Sequence, residues 1–179
     1  IFEWNNDTSL WVQKGQAVER NETDESTYPN TRTGHCVDIN NNGNVVAVGT
    51  PVYYRDSNYY GQIRILVWNG TAWIQRGQDF NGTNSPRARL GLSVSLNAEG
   101  DIVACATDKS DIFIYQWDGI TWNLRGSLIP GGEHFLDTTV KLSADGNRIV
   151  ISTSGNFDSN SVLGYSRIFY WNGIDWVQD

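Results

Sequence analysis

The spacing of the tryptophans constrains the fold of this chain more than any other feature. All eight tryptophans fall into four pairs. In three of these pairs, Asn-Gly or Asp-Gly follows the first tryptophan and four residues separate the two rings; they are Trp68 and Trp73, Trp117 and Trp122, and Trp171 and Trp176. Both dipeptides favour type I′ turns, in which two central residues take positive φ. Each segment therefore predicts a hairpin with a tight two-residue turn and both tryptophans on one sheet face. In this register Trp68 pairs with Thr71 and Leu66 with Trp73.

A second hairpin pattern precedes each of these three pairs. Alternating apolar residues flank a turn rich in Gly, Asn and Asp at 37–48, 94–105 and 140–151. The expected register places Leu96 opposite Asp101. Each unit then contains two hairpins, or four antiparallel strands, and recurs at roughly 45 to 60 residues, a period typical of propeller blades.

The repeat predicts an all-β fold of β-propeller-type, four-stranded antiparallel blades. The expected divisions are 1–34, the end of one blade and a linker, and then one blade each at 35–90, 91–137 and 138–179. These make about three and a half blades, fewer than a closed ring needs, so we expect a part of a larger propeller. The segment from Ile1 to Trp4 is expected to be the third strand of a blade, with an inner edge that is unpaired or covered by other chain.

The repeat resembles the tandem FG-GAP-like and kelch-like propeller repeats of secreted and cell-surface proteins. The resemblance rests on V-x-L-S-x-D-G-N-x-(V/I)-x-(V/I), followed by I-x-x-Y-x-W-(N/D)-G-x-x-W-x-x-x-G. Gly15, Gly77 and Gly126 end the second part, each four residues after its tryptophan. The resemblance implies an extracellular or cell-surface protein. Propellers host many activities, so the resemblance is specific for fold rather than for function.

Charge and hydropathy exclude two classes of partner. The formal net charge is -7, from 13 Lys and Arg against 20 Asp and Glu. Nucleic-acid binding requires a basic patch, and the sequence contains no basic run. The apolar runs are too short for a membrane-spanning helix, so we expect neither nucleic-acid binding nor membrane insertion.

No set of residues predicts catalysis, a metal site or a cofactor. His35 adjoins Cys36, but neighbours on a strand point to opposite faces, and His134 lies on a separate Gly-rich segment. The first strands offer Asp38, Ser95 and Lys141, which do not form a matched catalytic set. We therefore expect a protein that is not an enzyme.

The two cysteines allow two interpretations. Cys36 begins the first strand of one blade, and Cys105 ends the second strand of the next. At similar height on facing sheets they could form a disulfide between blades, which an extracellular setting permits. Two separate buried thiols are the alternative.

Four N-glycosylation sequons and one aromatic segment are the remaining candidate sites. The sequons lie at Asn6, Asn21, Asn69 and Asn81, and loop positions favour Asn21 and Asn81. The segment 51–61 contains four tyrosines, which suit a carbohydrate or protein partner; they are Tyr53, Tyr54, Tyr59 and Tyr60.

Together these features favour an extracellular structural or adhesive propeller component, part of a surface or fibrous assembly. Its partners are then other protein chains or further blades of the same chain. A carbohydrate-binding module that uses the tyrosine segment is the alternative function.

Overall fold

The structure, a computed structural model, describes residues 1–19, 32–55, 58–82, 89–131, 138–154 and 164–179. For residues 54–55 and 58–59 it describes the backbone alone. Asn21 and His134 lie outside the described residues. Within them every regular element is a strand, and no helix could cross a membrane.

Three sheets, each with a path of four antiparallel strands, dominate the fold, as the repeat predicted. The first blade has the order β3 (Cys36–Ile39), β4 (Val45–Thr50), β7 (Gln62–Trp68) and β8 (Trp73–Gln75), with β9 (Phe80–Asn81) also pairing with β7. The second blade contains β10 (Ser93–Leu96), β11 (Ile102–Ala106), β12 (Ile112–Trp117) and β13 (Trp122–Leu124). The third blade contains β14 (Thr138–Leu142), β15 (Arg148–Thr153), β16 (Tyr165–Trp171) and β17 (Trp176–Gln178). All these pairings are antiparallel.

Two small hairpins complete the described part. The N-terminal hairpin joins β1 (Phe2–Asn5) to β2 (Leu10–Gln13) and contains the first tryptophan pair. The other hairpin joins β5 (Tyr54–Arg55) to β6 (Asn58–Tyr59), between the second and third strands of the first blade. Among the described residues β1 pairs with β2 alone, so its other edge is unpaired, one of the two arrangements expected.

The prediction of a tight two-residue turn after the first tryptophan of three pairs is wrong. Trp68 pairs directly with Trp73, which leaves a four-residue loop. Within that loop Gly70 has positive φ, but Asn69 does not. The Asn69 Oδ1 atom instead accepts the backbone N–H groups of Thr71 and Ala72, both at 2.9 Å. An Asx side chain that caps its own loop thus replaces the type I′ turn.

The inner hairpins differ from the expected register in the same way. Leu96 lies opposite Val103 rather than Asp101, and Val94 opposite Cys105. In both kinds of hairpin, the observed register differs from the expected register by two residues. Since side chains on a strand alternate with a period of two, the predicted faces are unchanged. Both tryptophans of each pair therefore do share a face, with the Trp68 and Trp73 ring centroids 5.4 Å apart.

Apolar side chains on both faces of the blades form the core. The downstream face of the first blade and the upstream face of the second share one cluster, which includes Ile63, Ile65, Val103 and Cys105. The second and third blades share another cluster, which includes Ile112, Ile114 and Ile149. A third cluster joins the N-terminal hairpin to the first blade. Here the upstream face of a blade is the one toward preceding residues, and the downstream face the one toward following residues.

The first strands of the three blades lie side by side, with β10 between β3 and β14. Strands β8, β13 and β17 lie at the opposite edges of their sheets. The blades therefore converge at their first strands, and the tryptophan hairpins lie at the outer rim.

Candidate functional site at the blade interfaces

Each tryptophan pair of a full blade is covered by the end of the preceding fourth strand. A cation and a glycine follow that strand, and we call these two residues a clasp; the three clasps are Lys14-Gly15, Arg76-Gly77 and Arg125-Gly126. The Arg76 guanidinium lies 5.0 Å from the Trp117 ring centroid, and that of Arg125 lies 4.7 Å from Trp171. The Lys14 ammonium lies 5.4 Å from Trp68. Such cation–π contacts are favourable because the ring face is electron-rich.

The second tryptophan of each pair donates a hydrogen bond to its clasp. Trp73 Nε1 donates to the Lys14 carbonyl at 2.8 Å, and Trp122 Nε1 to the Arg76 carbonyl at 2.8 Å. Trp176 Nε1 donates to the Arg125 carbonyl at 2.9 Å. The indole N–H is thus satisfied where the ring is buried, as buried donors require.

The glycine of each clasp packs against an indole ring. Gly77 has φ of 79°, a left-handed conformation that glycine adopts without steric cost. A Cβ atom at Gly77 would lie 2.6 Å from the Trp117 ring. A Cβ atom at Gly15 would lie 2.6 Å from Trp68, and one at Gly126 would lie 2.7 Å from Trp171. Glycine is therefore required at this position for two separate reasons.

The third interface uses different polar residues for the same contact. At the first two, Gln16 and Gln78 each exchange two hydrogen bonds with the backbone of the facing tryptophan. Ser127 occupies this place in the third. There the Asp175 carboxylate accepts the Ser127 backbone N–H at 2.8 Å, and this bond lowers the pKa of Asp175.

The three glycines form part of the sequence repeat, but the clasps were not predicted from the sequence. The signal was available, since a cation stands three residues after the second tryptophan in three of the four pairs. Contacts between sheets have no fixed sequence spacing, so the pattern within one hairpin did not indicate which ring each cation covers.

Asp38, Ser95 and Lys141 meet at the convergent first strands. Lys141 Nζ lies 3.0 Å from Asp38 Oδ2, although the two residues belong to the third and first blades. Ser95 Oγ donates to the same oxygen at 3.2 Å and accepts the Leu142 N–H at 3.1 Å. The Leu96 N–H also donates to Asp38, at 2.7 Å. These groups satisfy one another and link three blades.

Cys36 and Cys105 are both free thiols that face the same interblade cluster. Cys36 Sγ donates to the Gly91 carbonyl at 3.1 Å, and Cys105 Sγ to the Phe113 carbonyl at 3.3 Å. Burial raises the pKa of Cys36 to about 12 and that of Cys105 further. Both side chains therefore stay protonated at neutral pH, and the disulfide stays a prediction.

The tyrosine segment contains residues with different exposure. The Tyr53 side chain is buried, and Tyr60 is half-buried. The backbones of Tyr54 and Tyr59 pair across the β5–β6 hairpin. A partner at this segment therefore cannot use the ring face of Tyr53.

The three described sequons also differ. Asn6 is exposed in the turn between β1 and β2. Asn69 is exposed, but its side chain caps its own loop. Asn81 lies half-buried on β9, where its Oδ1 accepts a hydrogen bond from the buried Gln62 at 3.0 Å. Accessibility therefore favours Asn6 over Asn81.

Comparison with solved structures decides the architecture. The β-propeller domain of Cps50 (Swd1) from Myceliophteria thermophila is similar, with a TM-score of 0.50 and 13% identity over 83% of this chain and 39% of that chain. The chain has a β-propeller fold. A form of KlHsv2 with loop 6CD replaced by a Gly-Ser linker aligns with a TM-score of 0.48 and 14% identity, over 80% of this chain and 42% of that chain. No protein-family model and no curated protein matches the sequence.

The candidate sites lie in different parts of the propeller. The chain spans about two fifths of the length of these two structures. The linked Asp38, Ser95 and Lys141 lie on the first strands, where the blades converge, and the clasps lie toward the rim. The β5–β6 hairpin extends the loop between the second and third strands of one blade.

Proposed function

We propose that this β-propeller is a non-catalytic, extracellular structural or adhesive component that binds other proteins within a surface or fibrous assembly. The resemblance of the repeat to the FG-GAP-like and kelch-like repeats of secreted and cell-surface proteins supports the extracellular part of this proposal. Its main support is that the polar side chains of the convergent first strands and both cysteines already have structural partners.

The inner strands illustrate this support. A catalytic base or nucleophile needs an accessible group with a suitable pKa. The Asp38 carboxylate accepts hydrogen bonds from two other blades, and Lys141 is its ion-pair partner. The Cys36 thiol, with its pKa raised to about 12, is a poor nucleophile at neutral pH. Such groups stabilise the blades, and loops are left to contact a partner.

The extracellular location is tested by glycan mapping of the protein isolated from its source. We expect N-glycan on Asn6, since its side chain is exposed in a turn. A Thr8→Ala variant, which destroys that sequon alone, should lose the glycan from this peptide and from no other. Unmodified sequons in protein recovered solely from cytosol would contradict the extracellular role.

Binding of carbohydrate through the tyrosine segment is the second candidate function. The β5–β6 hairpin places the backbones of Tyr54 and Tyr59 opposite each other beside the half-buried Tyr60. Aromatic rings next to polar groups bind sugars well. A glycan array should show a signal that the Tyr59→Ala and Tyr60→Ala pair abolishes. Tyr170→Ala, on the exposed face of the third blade, is the control. An array without any signal favours the protein-binding role.

A further inference from the structure

Among the described residues, nothing covers the Trp4 and Trp11 pair as the clasps cover the other three pairs. The second tryptophans of the three covered pairs are buried, with Trp73 and Trp122 each 3% exposed and Trp176 8% exposed. The second tryptophan of the first pair, Trp11, is 66% exposed. Each of the three buried rings is covered by a clasp from the preceding strand end. Trp11 is the exception among four equivalent rings.

The N-terminal hairpin is nevertheless built like the other tryptophan hairpins. Trp4 pairs directly with Trp11, with ring centroids 5.7 Å apart. Asn5 Oδ1 caps the loop by accepting the Asp7 and Thr8 N–H groups. The hairpin also continues into the Lys14-Gly15 clasp on the first blade. It thus forms the third and fourth strands of a blade whose upstream face is covered by none of the described residues.

In the part of the chain that the structure describes, no strand fills the groove beside this hairpin in the way that strands fill the equivalent places in the other blades. Its volume is about 550 Å³, and apolar side chains from the hairpin and from the first blade line it, among them Ile1, Phe2, Val37 and Ile39. Val37 is 63% exposed, whereas Val94, at the same position of the second blade, is 7% exposed. Val94 is covered by the strands of the preceding blade. The groove therefore has the place of a first and second strand.

We propose that this face binds a further blade of the same repeat, from outside residues 1–179. An Arg-Gly or Lys-Gly at the end of its fourth strand would cover Trp4 and Trp11. The two strands that follow would fill the groove and pair with β1. The internal repeat carries this assignment, since all three covered pairs have the same occupant.

A second copy of this chain does not supply that occupant. Its three clasps already cover its own tryptophan pairs. At the end of its third blade, Asp179 stands where the other blades have Lys or Arg. A carboxylate is repelled by the electron-rich ring face, and Asp179 is paired with Arg148. This interface is also independent of the ligand-binding role proposed above.

The test extends the chain with its own repeat. Ile1 and Ile168 occupy equivalent positions in the repeat. The Ile1 carbonyl accepts the backbone N–H of Lys14, and the Ile168 carbonyl accepts that of Asp179. Each donor lies three residues after the second tryptophan of its pair. A copy of residues 91–167 placed directly before Ile1 therefore continues the repeat in register and brings an Arg-Gly clasp. Hydroxyl-radical footprinting with mass spectrometry then measures the oxidation rate of Trp11. We expect a fall of at least about tenfold relative to the unextended chain.

The matched control carries Arg125→Asp and Gly126→Val in the added copy alone, and should leave Trp11 as reactive as in the unextended chain. If the added copy is folded but Trp11 stays as reactive as in the unextended chain, the proposal is wrong. If the copy does not fold, a free peptide of residues 122–127 is titrated into the unextended chain. The indole N–H resonance of Trp11 should then shift, and no shift, or an equal shift with the doubly substituted peptide, overturns the proposal.

Discussion

Gly77 shows how one residue fixes the distance between two blades. Its φ is positive, and its α-carbon faces the Trp117 ring. Gly70 also has positive φ, but nothing lies within 4 Å of the position of its absent Cβ atom. A side chain at Gly70 therefore strains the backbone alone, whereas a side chain at Gly77 also collides with a packed ring.

Replacing Gly77 by Ala should therefore destabilise the protein more than replacing Gly70. Gly70→Ala should cost about 1–2 kcal/mol, the price of a left-handed backbone with a Cβ. Gly77→Ala should cost about 1–3 kcal/mol more than Gly70→Ala, because the added methyl group meets a packed indole ring. Urea unfolding of both variants measures the difference. Equal losses would show that the clasp tolerates a side chain.

Asp175 makes the third interface sensitive to acid. Its pKa is lowered by the Ser127 N–H and then by the Trp176 N–H. A group whose pKa is lower in the folded state stabilises the protein above its unfolded pKa, about 3.9. This stabilisation is lost as the pH falls through the folded pKa.

Asp175→Asn should therefore be less stable than the parent protein at pH 7, with a difference that narrows below about pH 4. The amide oxygen keeps the acceptor but not the charge. Asp175→Ala removes the acceptor and should be destabilised throughout. Urea unfolding at a series of pH values is the measurement. A constant difference between the parent and Asp175→Asn from pH 7 to pH 3 would contradict the role of the charge.

Among elements, the inner hairpin shows what the sequence could and could not predict. The alternation of apolar residues correctly gave the faces of β10 and β11, since a shift of two residues leaves them unchanged. The exact register depends on the side chain of Asn97. Its Oδ1 accepts three backbone N–H groups, from Gly100, Asp101 and Ile102. A turn rule based on dipeptides does not include such a cap, so the loop was expected to be shorter.

The same limit applied to the candidate sites. Asn81 was expected in a loop but lies half-buried on β9, and side-chain burial decides the character of the other described sites. Tyr53 is buried within an aromatic segment predicted as a binding surface. Arg76 was not recognised, because its ring partner Trp117 lies in the next blade.

Removing the Asn97 cap should weaken the second blade strongly. Asn97→Ala removes the side-chain acceptor of the Asp101 N–H and of the buried Ile102 N–H, whereas the Gly100 N–H keeps the Asn97 backbone carbonyl at 3.2 Å. We therefore expect a loss of about 2–4 kcal/mol. Ser143 occupies the same position in the third blade, where its Oγ accepts the exposed Arg148 N–H. Ser143→Ala should cost about 1 kcal/mol. Guanidinium unfolding compares the variants, and similar losses would rule out the cap as the anchor of this hairpin.

At the scale of the molecule, the two ends of the blade array are not equivalent. The upstream end exposes Phe2, Val37 and Ile39 around a groove and leaves one edge of β1 unpaired among the described residues. The downstream face of the third blade mixes Val150 and Ile168 with polar side chains. Unpaired edges beside apolar surface promote the addition of a strand from another chain.

The 179-residue chain should therefore self-associate weakly through its upstream end. A second copy can add a strand to β1 but lacks a free clasp, so the complex should be dissociable rather than tight. Sedimentation velocity at increasing concentration should show a growing share of larger species. Val37→Lys places a charge in the groove and should suppress them. Ile120→Lys, at an outer loop where the parent side chain is 85% exposed, should have no effect. A parent chain that stays monomeric at every concentration would show that this end of the array does not attract another strand.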